Sequence, residues 1–511
     1  MSAAPQPTGP DLREGLDVAA LADGATLAAR VGDEAVLVSR RGDRFFAVSA
    51  ACTHYGGPLS EGLIEGDYAH CPWHHACFDL TTGEALKAPA IGPLKCWRVD
   101  IDGTRLSVST GLEAPSPQRL RPPPDVRRIV IVGGGAAGFA AAEMLRRQDY
   151  DGALTLLSAD GDAPYDRPNL SKEYLAGEAP EDWIPLKDDA FYRERQIDLK
   201  LSTPVSRLDR SGRAVVTTAG QTFAYDRLLL ATGAEPVRLA GYDGPRVLSL
   251  RSLADARALI AAAADAKRAV IIGAGFIGLE TAASLRHRGL EVDVIAPEAA
   301  PMIKPLGEEI ARLVQRTHEA HGVRFHLGAK AEGFDGRAVK LEGGGVLEAD
   351  LVVLGVGVRP RLDLAQQAGL AIGNGVEVDV YLRSSDAHIF AAGDIASYPD
   401  PVSGARARVE HWVAAERQGQ TAALNMLGAN TPFADAPFFW SNHYDLHLQY
   451  VGYAPNWDRV EIAGDVAAHD FTARYLRNGH MLAALSAGRD QESLRLQVEM
   501  NTARSRAITA A

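Results

Sequence analysis

Between Leu12 and Val108, short runs of β-branched and aromatic residues (EAVLVS, RFFAVSA, TRLSVS) alternate with glycine-containing turns. Apolar runs of strand length bounded by turn residues predict a small all-β domain over residues 12–112. The pattern breaks at EAPSPQRLRPPPD, residues 113–125, where four prolines follow Ser116. Proline fixes φ and removes a donor, so a stiff, extended linker is predicted there. Beyond it, apolar strand, glycine turn and alanine-rich helix follow one another twice, in RRIVIVGGGAAGFAAAEMLRR and KRAVIIGAGFIGLETAASLRHRG. Two such openings predict two doubly wound α/β domains, one over 126–242 and 362–435, the other over 243–361. After Pro437 strand-like stretches return (HLQYVGY, DRVEIAG, FTARYLRNGHMLAALSAG), and an α+β domain is expected over 436–511.

Composition narrows the class. A chain of 511 residues is too long for one hydrophobic core, which agrees with several domains. Its formal charge of -12 and the lack of any Lys/Arg block speak against a nucleic-acid partner. The first fifteen residues, MSAAPQPTGPDLREG, lack the basic start and apolar core of a signal peptide, and no apolar run is long enough to span a bilayer. A cytoplasmic protein with no membrane span, monomeric or homodimeric, is expected. All four cysteines lie between Cys52 and Cys96, which in a reducing compartment points to a local metal site rather than a disulfide framework.

Cys52-Thr-His54 and Cys71-Pro-Trp-His74 are two mirrored pairs, each beside glycine or proline (Gly56, Gly57, Pro58, Pro72). Two thiolates and two imidazoles suit tetrahedral zinc by count, and also an iron-sulfur cluster in which two histidines replace two cysteines on one iron. The stretches CTHYGGPL and CPWHHACFD closely resemble the Rieske 2Fe-2S domain. That resemblance implies Cys52 and Cys71 on one iron and His54 and His74 on the other. High-potential respiratory relatives carry a further cysteine and hydroxyl residues in the second loop, where this chain has Trp73, Ala76 and Phe78. Fewer hydrogen bonds to the cluster sulfurs imply a low potential. His75 replaces the usual glycine and is expected to face solvent; Cys77 and Cys96 are expected to be small core residues.

Each G-x-G-x-x-G here follows an apolar strand and opens a helix, the context in which glycines let a pyrophosphate approach a helix N-terminus. The residues are Gly133, Gly135 and Gly138 in the first unit and Gly273, Gly275 and Gly278 in the second. With PYDRPNLSKEYL, LLLATGAEP and IFAAGDIA, the chain from 126 to about 450 resembles the two-dinucleotide flavoprotein reductases. The resemblance extends particularly to oxygenase-coupled ferredoxin reductases and the apoptosis-inducing-factor-like group, including the members with a fused Rieske domain. The resemblance implies FAD on residues 126–242 and 362–435, and NAD(P)H on 243–361. It assigns Asp394 to the flavin ribityl chain, Arg167 to the pyrophosphate, Lys172 with Glu280 to the neighbourhood of flavin N5, and Trp412 to the ring face. Ala137, Ser158, Val205, Ala231, Thr232, Gly233, Gly393 and His411 complete the implied FAD contacts, and Phe276, Ile277, Val356 and Gly357 those of the nicotinamide dinucleotide. Lys172, Glu280 and Trp412 are the implied catalytic residues.

Four further features matter. Ser158 stands where the ribose-binding acid of the FAD unit is common, with Asp160 close behind. The second unit has Ala296 at that position and Glu298 two residues on, with no arginine to meet a 2′-phosphate, so NADH is expected over NADPH. His443 and His447 have helical spacing around Asp445 but sit in a strand-like stretch, and no metal is expected there; Phe439, Trp440 and Tyr444 are expected near the flavin face. Finally, no cysteine follows Cys96, which removes dithiol and peroxidase chemistry. The expected function is an NAD(P)H-oxidising flavoprotein that passes electrons to its own cluster and then to an unidentified acceptor. The alternative is an NADH-sensing redox scaffold with slow turnover. Whether the linker lets the first domain swing or holds it docked is left open.

Overall fold

The computed structural model describes residues 5–108 and 119–510, so the end of the expected first domain, residues 113–118 of the linker and residue 511 lie outside the described residues. The N-terminal unit is all β. One sheet pairs Thr26–Val31, Glu34–Arg41, Arg44–Ser49 and Cys96–Trp97; a second pairs Leu63–Glu65, Tyr68–His70, Cys77–Asp79 and Ala85–Lys87. Alternation in these strands sends Leu37, Val48, Ala69 and Phe78 into one core with Cys52, Cys71 and Cys96. Both Cys/His segments are loops on this scaffold.

The first α/β unit has a five-stranded parallel sheet in the order Asp198–Lys200, Ala153–Leu157, Arg128–Val132, Arg227–Leu230, Ile389–Ala391. Its last strand comes from residues that follow the whole second unit, so the chain leaves this sheet and returns to close it. The second unit repeats the plan with Val247–Ser249, Leu351–Leu354, Arg268–Ile272, Glu291–Ala296 and Val323–Leu327. Strands buried on both faces read as unbroken apolar runs, and Val130, Ile131, Leu229, Val270, Ile271 and Val352 are at most 2% exposed. Glycine performs the same task in both units: Gly133 (φ 118°) and Gly273 (φ 104°) make the turn from strand to helix. A Cβ on Gly138 would meet Gly133 O at 1.8 Å, and one on Gly278 would meet Gly273 O at 2.3 Å.

The C-terminal unit is an antiparallel sheet in the order Phe438–His443, Leu446–Gly452, His480–Ala487, Asp470–Arg477, Arg459–Asp465, packed against the helix Asp490–Ala510. His443 and His447 belong to the hairpin formed by the first two strands, in which Asn442 pairs with His447, so helical spacing has no meaning there. Among the described residues no three His, Cys, Asp or Glu side chains converge as a single ion would need, and no helix is long and apolar enough to cross a membrane.

The all-β unit sits on the rest of the chain through a polar, buried seam. Arg417, in the helix Trp412–Met426, donates from Nη2 to His75 O at 2.7 Å and from Nε to Ala88 O at 3.1 Å. Gln420 Oε1 accepts from Ala88 N at 3.0 Å, and Gln449 Nε2 donates to Pro72 O at 3.0 Å. Tyr55 OH bonds Asp166, and Lys87 pairs with Asp435. His75 is therefore not at the surface as expected: it is 1% exposed, its φ is 57°, and its Nδ1 donates to Gln497 Oε1 at 2.8 Å. The side chain that replaces glycine here is spent on the seam between domains, which lies hundreds of residues away in sequence.

Candidate functional site

Cys52 and Cys71 open two similar loops. In the first, Cys52 N donates to Gly57 O and Gly56 N to Cys52 O, both at 2.8 Å; in the second, Cys71 N donates to Ala76 O at 2.9 Å and His75 N to Cys71 O at 3.1 Å. These turns bring the Cys52 and Cys71 thiols into hydrogen-bond contact with each other, and set His54 Nδ1 3.2 Å from His74 Nδ1. The four side chains thus form a thiol pair and an imidazole pair. That split fits a two-iron cluster with one iron on sulfur and one on nitrogen, and it does not fit one tetrahedral ion. Burial pushes the His54 imidazole down to about 3 and that of His74 well below its ordinary range, which keeps both rings in the neutral form that binds metal. Gly57 backs the site closely: a Cβ there would lie 2.7 Å from Cys71 Sγ. Cys77 and Cys96 are buried too, and both are free thiols.

A cavity of about 670 Å³ opens where the two α/β units and the C-terminal sheet meet. Gly135, Ala137, Arg167, Lys172, Ala231, Gly233, Gly393, Asp394, His411 and Trp412 line it from one side, and Gly275, Phe276, Ile277, Glu280 and Gly357 from the other. Gly133, Gly138, Ser158, Val205, Thr232, Gly273, Gly278 and Val356 stand outside that lining. The first two glycines and their counterparts shape the turns, Ser158 lies beneath Gly134, and Thr232 Oγ1 donates to Arg361 O at 2.9 Å. Asp160 Oδ2 accepts from Tyr165 OH at 2.8 Å and its Oδ1 from Asp162 N at 3.2 Å, so both of its oxygens are engaged. Glu298 lies 3.2 Å from Lys304 Nζ, a cation that the local motif did not reveal.

The helices Ala136–Arg147 and Phe276–His287 both begin at this cavity with a glycine N-cap and unpaired first-turn N–H groups. Among the described residues Arg167 Nε is buried with no partner, and His411 Nδ1 likewise. Arg251, which sequence reasoning missed, is half-buried on the same cavity wall and donates to Asp394 Oδ2 at 2.5 Å. Two guanidinium groups and a helix N-terminus fit a diphosphate, and an apolar wall of Phe439, Trp440 and Trp412 fits a flat aromatic ring. Deeper in, Lys172 Nζ lies 2.8 Å from Glu280 Oε2, with the two side chains only 10% and 3% exposed. Burial raises Asp166 to about 6 despite its bond from Tyr55.

Trp440 joins the two sites. It lines the cavity, Lys172 Nζ lies 5.9 Å from its ring, and its centroid is 4.1 Å from that of His74. Tyr444, expected beside Trp440 and Phe439, is elsewhere: it occupies the tip of the hairpin at φ 59° and stacks on His321 with centroids 3.7 Å apart. A turn between paired strands reverses the chain, so residues four apart in sequence part company.

Fold and site define a two-dinucleotide reductase with a cluster-binding β domain seated at its redox cavity. The chain belongs to the pyridine nucleotide-disulphide oxidoreductase family, whose model matches residues 127–419. Models of the Rieske 2Fe-2S domain and of the reductase C-terminal domain match residues 15–98 and 438–509. It is 38% identical over 359 residues to the ferredoxin–NAD(+) reductase component of the anthranilate 1,2-dioxygenase system of Burkholderia cepacia, covering 68% of this chain and 88% of that protein. Apoptosis-inducing factor 3 of Mus musculus is 30% identical, with 89% of this chain and 78% of that protein covered. The crystal structure of the covalent putidaredoxin reductase–putidaredoxin complex superposes with a TM-score of 0.70 at 31% identity, covering 74% of this chain and 93% of that one. The chain is therefore an oxidoreductase and flavoprotein of the ferredoxin/rubredoxin–NAD reductase type that carries a Rieske domain. Its family name refers to disulphides, yet no cysteine follows Cys96.

Proposed function

We propose that this protein takes electrons from a nicotinamide dinucleotide, through FAD in the cavity, to its own Rieske cluster, and from there to an acceptor outside the chain. The contact of His74 with Trp440 carries this reading, because it leaves no gap between the cavity wall and a cluster ligand. Cofactors bound here would supply a two-electron entry from nicotinamide and a one-electron exit through iron and sulfur. The protein's own part is to bind and to orient. Arg167, Arg251 and the N-terminus of the helix Ala136–Arg147 hold the FAD diphosphate, and Asp394 holds the ribityl chain. Gly275, Phe276 and Ile277 receive the nicotinamide dinucleotide. Lys172, kept in place by Glu280, presents a positive charge to the reacting edge of the flavin, and Trp412 covers its face. Cys52 and Cys71 hold one iron, His54 and His74 the other.

NADH is the proposed coenzyme, since Glu298 near the end of Glu291–Ala296 would repel a 2′-phosphate more than the exposed Lys304 attracts it. Stopped-flow mixing of the oxidised holoprotein with NADH under argon tests the sequence of events. Flavin absorbance is expected to bleach first and the Rieske visible band to fade after it. In Trp440→Leu the second phase slows at least tenfold while the first persists. A cluster that stays oxidised beside fully reduced flavin would refute the internal transfer and favour the slow-turnover scaffold.

A further inference from the structure

Glu280 has more partners than Lys172. Its Oε2 also accepts from Ser171 Oγ at 2.5 Å, and its Oε1 accepts from Ser441 Oγ at 2.5 Å. Ser441 Oγ lies 3.1 Å from His443 Nε2, and His443 Nδ1 lies 3.1 Å from His318 Nε2. Ser441, His443 and His318 are all at most 1% exposed. At the far end His318 Nδ1 is buried without a partner among the described residues, in the last turn of the helix Glu308–Ala320. One turn further on, the exposed His321 stacks on Tyr444, whose hydroxyl is likewise unpartnered.

Elementary hydrogen-bond chemistry fixes the direction of this chain. As the carboxylate partner of Lys172, Glu280 only accepts, so Ser441 donates to it. Ser441 oxygen then accepts from His443 Nε2–H. Burial pushes His443 down to about 3 and His318 well below its ordinary range, so each ring is neutral with a single N–H. His443 Nδ1 must therefore accept, and His318 Nε2–H donates to it. Every donor points toward Glu280, and the series ends outward in the bare lone pair of His318 Nδ1. An open lone pair at the outer end, with every donor aimed inward, is the arrangement in which the series can take up a proton.

We propose that Ser441, His443 and His318 form a proton relay that loads Glu280 with one proton when the flavin beside Lys172 is reduced, and unloads it on reoxidation. This rests on the reading of the cavity as the flavin site. Hydride brings two electrons and one proton to the flavin, so the site gains one negative charge, and a carboxylate next to it is then stabilised by protonation. A proton bound at His318 Nδ1 releases His318 Nε2–H to His443 Nδ1. His443 Nε2–H passes to Ser441 oxygen, and the Ser441 O–H proton to Glu280 Oε1. Each hop breaks one N–H or O–H bond and forms one. Both rings are left as Nδ1–H tautomers, which is the arrangement that conducts the same proton outward when the electrons leave.

The test uses the holoprotein under argon, reduced with NADH or by light, and followed by infrared difference spectroscopy and by a pH-indicator dye. Expected are the C=O stretch of a protonated carboxylic acid, absent in Glu280→Gln, and uptake of one more proton per flavin in wild type than in that variant. In His443→Phe, and in His443→Gln, which keeps hydrogen-bonding groups but cannot shuttle a proton as imidazole does, uptake lags flavin bleaching at least tenfold. A carboxylate that stays ionised beside fully reduced flavin, or uptake as fast in both variants as in wild type, overturns the relay alone. Purified protein that takes up no FAD overturns the cavity reading and the relay with it.

Discussion

His75 lies nearly flat on Phe438, with ring centroids 4.0 Å apart and planes 19° from parallel. The first residue belongs to the second cluster loop and the second to the C-terminal sheet, so this stack pins the loop that carries His74 to the strand that carries Trp440. The distance between cluster and cavity is thereby set by packing, not by the linker.

Replacing His75 should loosen that seam. His75→Gly relieves a left-handed backbone, worth about 1 kcal/mol, but leaves Gln497 and part of Phe438 without their partner, at about 1–3 kcal/mol for each buried polar group left unpaired. Faster amide exchange in residues 71–78 and 438–443 is the expected outcome, with the Rieske band retained. Exchange as slow as in the wild type would mean that the stack holds nothing.

The Lys172–Glu280 pair should be stiffly coupled, because breaking a buried pair from one side costs about 3–5 kcal/mol. Lys172→Met is expected to lower the rate of flavin bleaching by NADH at least tenfold while FAD content stays near one per chain. The double variant Lys172→Met/Glu280→Gln should melt higher than Lys172→Met alone. Additive losses in the melting temperature would contradict a pair that works as a unit.

The cluster should have a low potential. Ala76 and Phe78 are buried and offer no hydroxyl, and the hydroxyls of the first loop are engaged elsewhere: Thr53 Oγ1 donates to Gly92 O at 2.6 Å and Tyr55 OH to Asp166. Rieske centres range from about -150 to about +300 mV, and the lower half is expected here. Ala76→Ser adds a donor beside the thiolates and should raise the potential. Redox titration followed by electron paramagnetic resonance measures both; a wild-type value near the top of that range would contradict this account.

Acid should weaken the fold through His443. Its pKa is about 3 in the folded chain against 6.5 in the unfolded one, so below pH 6.5 the unfolded state binds the extra proton and stability falls until about pH 3. At pH 5 the loss from this residue is about 2 kcal/mol relative to pH 7. Melting curves should show a smaller drop between pH 7 and pH 5 for His443→Gln than for the wild type. Equal drops would show that His443 is not held neutral.

Much of this was readable from local pattern. Period and glycine placement marked both strand–turn–helix openings, and the spacing of Cys52, His54, Cys71 and His74 marked the cluster loops, because those features are built from neighbours in the chain. What escaped notice was long-range. His75 looked like a surface residue because the partners that bury it, Gln449 and Gln497, lie 374 and 422 positions away. Arg251 sits between two recognisable motifs and belongs to neither. Tyr444 was misplaced because a stretch read as one continuous strand is a hairpin. His318 and His443 sit in polar stretches, RTHEAH and SNHYD, and nothing local joins one to the other.

The buried seam between the all-β unit and the reductase has a kinetic consequence. Partners that travel separately must collide, and their rates rise with concentration and fall or grow with salt. On the proposed path the flavin and cluster sites are joined before any electron moves, so the internal step should be first order and indifferent to dilution and ionic strength. Whatever salt dependence the complete turnover displays would then report on the encounters with the nicotinamide dinucleotide and with the outside acceptor.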